Sequence, residues 1–130
     1  AVGSRDLQNG TVELARRDTQ TKETVSQEGL AVTIENLLGI IQENIFQKAL
    51  DYRNSHITEV NSYDEFKNVL ESKGGFISCH WDGSVETEKR VKEETKATIR
   101  CIPLDAKAED GLCIFTGKPS KQRVLFAKAY

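Results

Sequence analysis

Apolar residues recur at three- and four-residue steps along the middle of the chain: Leu30, Ile34, Leu37, Leu38, Ile41, Ile45, Ala49 and Leu50. That spacing predicts one long amphipathic helix with a continuous apolar stripe, fraying near Asn54 to His56. A helix of about 25 residues spans almost 40 Å, long enough to connect two domains. Gly39 lies inside the run and costs about 1 kcal/mol relative to Ala, so another element is expected to pack closely there.

Ahead of the helix, Val2 to Gln8 reads as a strand that turns at Asn9-Gly10 and returns through Thr11-Val12-Glu13-Leu14-Ala15-Arg16-Arg17 in alternating character. Asn-Gly favours a type I′ hairpin turn. Asp18 to Glu28 is polar and reads as a connection. Two strands are marginal alone in water, so they are expected to belong to a larger sheet, and the chain reads as a piece of a longer one.

After the helix the pattern becomes β-α-β-α-β-β-β. Ile57 to Val60 is a short strand. Ser62-Tyr63-Asp64-Glu65 is a capping box opening a helix whose buried face is Tyr63, Phe66, Val69 and Leu70, ended by Gly74-Gly75. Phe76 to His80 is a strand, and Val85 to Thr95 a charged helix with Glu86–Arg90 and Glu88–Lys92 at favourable spacing. Thr98 to Leu104 is a further strand. Leu112 to Thr116 and Arg123 to Ala127 are expected to form a hairpin around Gly117-Lys118-Pro119-Ser120. The fold class is α+β: a long linking helix, then a small mixed sheet covered by helices. The expected divisions are 1–28, 29–56 and 57–130.

Composition narrows the classes. Charged residues make up 29% and hydrophobic residues 38%, ordinary for a folded domain. The longest nearly uncharged stretch, Gly29 to Gln42, is too short for a membrane span, so no membrane partner is expected. Net charge is −2, which excludes bulk electrostatic binding of a polyanion. After Asp110, however, Lys118, Lys121, Arg123 and Lys128 follow with no acidic side chain, either a solvated hairpin or a basic edge. Three cysteines without close pairs argue against a disulfide framework and for a reducing, cytoplasmic setting.

Chemistry-bearing patterns are sparse. Gly117-Lys118 is not a phosphate loop, because Gly111 is one residue too distant and Pro119 replaces the hydroxyl residue. His56 and His80 fall in different elements, and no nucleophile–base spacing appears. Cys79, Cys101 and Cys113 lack the paired spacing of a zinc site, so zinc is not expected.

Gly3-Ser4-Arg5-Asp6, Gly10-Thr11-Val12-Glu13 and Ala15-Arg16-Arg17-Asp18 resemble the last strands of the anticodon-binding domain in prolyl-tRNA synthetases of the archaeal and eukaryotic-like class. The likeness continues through Glu65-Phe66 and Ile99-Arg100-Cys101-Ile102-Pro103. It finishes with Gly117-Lys118-Pro119-Ser120 and Phe126-Ala127-Lys128-Ala129-Tyr130.

The resemblance implies an accessory region of an enzyme that ligates proline to its tRNA with ATP and Mg. That enzyme would be a homodimer, and this region would carry no catalytic residues of its own. Its partners would be proline tRNA and the catalytic domain of the same chain. The alternative is a free-standing RNA- or zinc-binding module. Single-stranded anticodon bases would be read by stacking and edge contacts. Arg16, Arg17 and Lys22 are the candidates for RNA contact, ion pairing inside the hairpin being the other reading for each arginine. Arg5 is expected to pair with Asp6, Glu13 or Asp18.

Zinc-bearing relatives carry two cysteine pairs, one before the charged helix and one in the late hairpin. Here Trp81 to Thr87 holds no cysteine, Cys113 is a remnant, and Thr116 stands at the second late position. Packing by Trp81 is expected to compensate.

Tyr130 is expected to approach the active site of the whole enzyme. Deleting Tyr130 should then lower the aminoacylation rate more than tRNA affinity, and steady-state kinetics with unaltered kcat would refute that role.

Overall fold

Residues 1–129 are described by a computed structural model that divides into two compact units, Ala1–Tyr52 and a second beginning at Arg53. The division falls inside the long helix rather than at its ends.

In the first unit, Ser4–Asn9 is a short helix (α1), not the strand suggested by its place before Asn9-Gly10. The Gly3 amide donates to Asp6 Oδ2 at 2.8 Å, anchoring the helix start. Gly10 then adopts φ 63° and returns its amide to Asp6 O, so Asn9-Gly10 is a helix stop and not a hairpin turn. Ser4-Arg5-Asp6-Leu7-Gln8 offers a strand no alternating apolar face. The hairpin that does form joins Thr11–Ala15 (β1) to Lys22–Ser26 (β2), antiparallel, with Val12 opposite Val25. β2 carries no strand period, since Lys-Glu-Thr-Val-Ser contains a single apolar residue and is otherwise exposed.

The long helix (α2, Leu30–Ser55) has 26 residues, none of them fully buried. Leu37, Ile41 and Asn44 form a half-buried row, while Val32, Leu38 and Phe46 are more than half exposed. A Cβ added at Gly39 would meet nothing within 4 Å, so no close packing accounts for this glycine.

The second unit contains Ile57–Glu59 (β3), Tyr63–Ser72 (α3), Phe76–His80 (β4), Val85–Thr95 (α4), Ala97–Cys101 (β5), Gly111–Leu112 (β6), Pro119–Ser120 (β7) and Arg123–Lys128 (β8). Its main sheet has the order β3-β4-β8-β5, with β3 and β4 parallel and β8 antiparallel to both neighbours. The sheet is thus mixed, in an α+β fold.

The expected terminal hairpin does not form. Residues 113–117 make a tight turn, with the Gly117 amide on Cys113 O at 2.8 Å, and β6 pairs only with β7. β8 goes to the middle of the sheet because Val124 and Phe126, both fully buried, need partners on either side. β5 ends at Cys101, ahead of Pro103, after a register shift between Ile99 and Cys101.

Local signals elsewhere act as the sequence implies, with adjustments. Ser62 Oγ accepts the Glu65 amide at 3.2 Å, but Glu65 reaches back to the Asn61 amide at 2.9 Å instead of Ser62. On α4 the ion pair among the described residues is Arg90–Glu94, not the two pairs anticipated by spacing.

Phe66, Ile77, Cys79, Val91, Ala97, Val124 and Phe126 form the core, with Ile77 directly opposite Phe126. Phe66 meets Phe126 edge-on at 5.5 Å and Phe115 at 5.3 Å, geometries that suit aromatic quadrupoles. Arg123, 14% exposed, bonds Glu109, Asn61 Oδ1 and Val60 O, tying the entrance of β8 to the end of β3.

Phe66→Ala removes the ring shared by both edge-on contacts. It should destabilise the chain by about 3–5 kcal/mol, read as a lower urea midpoint for the unfolding of this unit. A loss below about 1 kcal/mol would mean that Phe66 is not the centre of the core.

Candidate nucleic-acid interface

The loop between β1 and β2 separates the two adjacent arginines. Arg16 folds back on Asp18 in a two-point contact, Nε to Oδ1 at 3.2 Å and Nη2 to Oδ2 at 2.7 Å. Asn44 of α2 donates to the same carboxylate at 2.6 Å, and Lys48 Nζ reaches Asp18 O at 2.7 Å. The Asp18 side chain is 1% exposed. The Arg16 hydrogen bond holds its carboxyl well below the usual range, against the opposing pull of burial. Asp18 is therefore a hub joining the hairpin to α2, and Arg16 belongs to it.

Arg17 is exposed and has no ion-pair partner among the described residues. Its carbonyl accepts Gln20 Nε2 at 2.6 Å, and Gln20 takes φ 60°, so the tip that carries Arg17 is internally braced. Lys22, on β2, lies 3.4 Å from Glu13, both well exposed, a pair of small energetic weight. The expected pairing of Arg5 with Asp6, Glu13 or Asp18 does not occur among the described residues: Gly3 donates to Asp6, Lys22 lies beside Glu13, and Arg16 takes Asp18.

Two of the four basic residues after Asp110 are paired. Lys121 pairs with Asp110, and Arg123 pairs with Glu59 and Glu109. Tyr130 lies outside the described residues.

The residues where a metal would be expected do not fit one. Among the described residues no group of three or more His, Cys, Asp or Glu side chains is placed to hold an ion. Cys113 is buried, and burial followed by the neighbouring Cys113 thiol pushes the Cys79 thiol up to about 12. The loop before α4 and the 113–117 turn are joined instead through Asp82, a residue to which sequence spacing gave no signal. Spacing was equally silent on an open, mainly apolar groove of about 520 Å³ beside β4 and β8, lined by Ile57, Phe76, Cys101, Leu104 and Leu125.

Asp18→Asn should loosen the hairpin, and the amide of Arg16, bonded to Thr21 O at 2.8 Å, should exchange several-fold faster at pH 7. Because the folded carboxyl lies below its ordinary value of about 3.9, its contribution is complete above that pH and disappears as pH falls below it. Native and variant chains should therefore converge in strong acid. Equal exchange rates at pH 7 would show that the hub is dispensable.

A family model described as prolyl-tRNA synthetase, C-terminal, matches residues 63–130. Proline–tRNA ligases of Flavobacterium johnsoniae, Cytophaga hutchinsonii and Porphyromonas gingivalis are each 62% identical over 130 residues, covering all of this chain and 26% of their own length. The chain thus spans about a quarter of these relatives. A crystal structure of prolyl-tRNA synthetase from Cryptosporidium parvum, complexed with L-proline and AMP, superimposes with a TM-score of 0.90 at 29% identity, over 99% of this chain and 28% of that one. A fold this similar along the whole chain, together with the family match, makes the chain a member of the prolyl-tRNA synthetase family, corresponding to its C-terminal region.

Proposed function

We propose that this chain serves as the accessory C-terminal part of an enzyme that joins proline to its tRNA with ATP and Mg, in the cytoplasm and as a homodimer. The reading is carried by the likeness to prolyl-tRNA synthetases along the full chain. In it, the segment performs no bond chemistry. Its first unit presents Arg17 to the anticodon region of the tRNA, and its second braces the catalytic domain of the same polypeptide.

Two features support this division of labour. Arg17 stands on a braced loop with its guanidinium unspent, whereas Arg16 is consumed by Asp18 and Lys22 is partly screened by Glu13. In the second unit, Leu104 and Leu112 are strongly exposed and the groove beside β8 is apolar, a surface suited to covering by another domain.

Arg17→Ala in the full chain should raise the KM for proline tRNA several-fold and reduce the salt slope of binding by about 1. Proline-dependent ATP–pyrophosphate exchange should be unaffected. An unchanged salt slope would remove Arg17 from the interface. Tight, salt-dependent tRNA binding by the isolated segment would favour a free-standing RNA-binding module instead.

A further inference from the structure

The loop that precedes α4 and the turn that precedes β7 are distant in sequence yet meet at one carboxylate. Asp82 Oδ2 accepts the hydroxyls of Thr116 at 2.9 Å and Thr87 at 3.0 Å, while Oδ1 accepts the Ser84 amide at 3.1 Å. Ser84 caps α4 by accepting the Thr87 amide at 3.2 Å and donates its own hydroxyl to Thr87 at 2.8 Å. The Trp81 indole donates to Ser84 O at 3.1 Å. Trp81 also packs against the core, as its size suggests, but the joint between the two loops is polar. On the other side, Thr116 Oγ1 accepts the Lys118 amide at 3.4 Å, and Cys113 closes the turn through its backbone bonds to Gly117 and Lys118.

The polarity of this cluster is opposite to what a cation requires. Two hydroxyls and an amide converge as donors on an anion, occupying both of its oxygens. Structural zinc needs four Cys or His ligands, and of the late pair only Cys113 supplies sulfur, with Thr116 donating a proton where a thiolate would stand. Burial pushes the Asp82 carboxyl up, but the donors from Ser84, Thr116 and Thr87 outweigh it and keep the group charged at neutral pH.

We propose that Asp82 is a metal-free clasp: its carboxylate, held by Thr87 and Thr116, fastens the 113–118 turn to the α4 entrance. The clasp sets the turn from which β7 and β8 follow. It stands on the loop geometry and is independent of the proposed RNA contact.

The test uses the full chain, purified from cells grown with added zinc. Elemental analysis should find no stoichiometric zinc that disappears on Cys113→Ser, and a chelator should leave thermal unfolding unshifted. Thr116→Val should speed amide exchange at Gly117 roughly tenfold, the factor expected for losing a hydrogen bond to a charged group. Asp82→Asn should do the same, and the double variant should fall well short of the product of the two effects because both remove one contact. Thr116→Ser restores the hydroxyl and should restore native exchange, which separates loss of the bond from general damage to the fold. Zinc bound in a Cys113-dependent way, unaltered exchange in either single variant, or fully multiplicative effects would each overturn the clasp.

Discussion

The second unit depends on where its last strand lies. β8 sits between β4 and β5, with Val124 and Phe126 fully buried and Ile77 facing Phe126 across the β4 edge. Until β8 has entered, β5 has no main-chain partner and β4 is paired only with β3, so the sheet cannot be built by local hairpins in sequence order. Pairings between strands far apart in the chain carry a large loop-closure cost before they return any stabilisation. Whatever fixes the approach to β8 therefore has leverage over the whole sheet. Two devices do this: Arg123, which bonds Glu109, Asn61 and Val60 O at the strand entrance, and the 113–118 turn held to the α4 loop.

Both units use a buried or half-buried charged group to collect donors or acceptors from separate segments. Asp18 gathers Arg16 and Asn44, Asp82 gathers Ser84, Thr87 and Thr116, and Arg123 gathers two loops and a strand end. Such bonds exceed neutral ones in strength because one partner is ionised and water is partly excluded. Exposed pairs such as Lys67–Asp64 and Lys121–Asp110 lack that advantage and contribute little. Loops in a small fold are thereby fixed by a few charge-centred joints, while the core of aromatic and aliphatic side chains provides the bulk of the stability.

Elements with a strong period were legible in the sequence. The α2 stripe, the Ser62 cap with Phe66 behind it, and the Phe76–His80 strand each follow from side-chain chemistry within one element. What could not be read depends on partners elsewhere. α1 is six residues long and is held by Gly3, Asp6 and Gly10 rather than by any apolar face. β2 exists because β1 offers it a ladder, and β6 and β7 are two residues each, too short to have a period. Of the candidate site, Arg16 and Arg17 look alike as neighbours, and only the bend through Gln20 gives one to Asp18 and the other to solvent. Asp82 was invisible for the same reason, since its partner Thr116 lies across the fold.

The contrast between the two arginines bears on how a small fold can hold one cation toward solvent in an ordered loop. An anion-binding group on a flexible loop loses much of its interaction energy to ordering on contact. Here the ordering is done in advance: Arg16, Asp18, Asn44 and Lys48 fix the loop of the hairpin to α2, and Gln20 braces it from within. The side chains used in that bracing are engaged within the fold, and Arg17 is left exposed on the braced loop. Bracing and presentation are then the same structural act, performed around a single buried carboxylate.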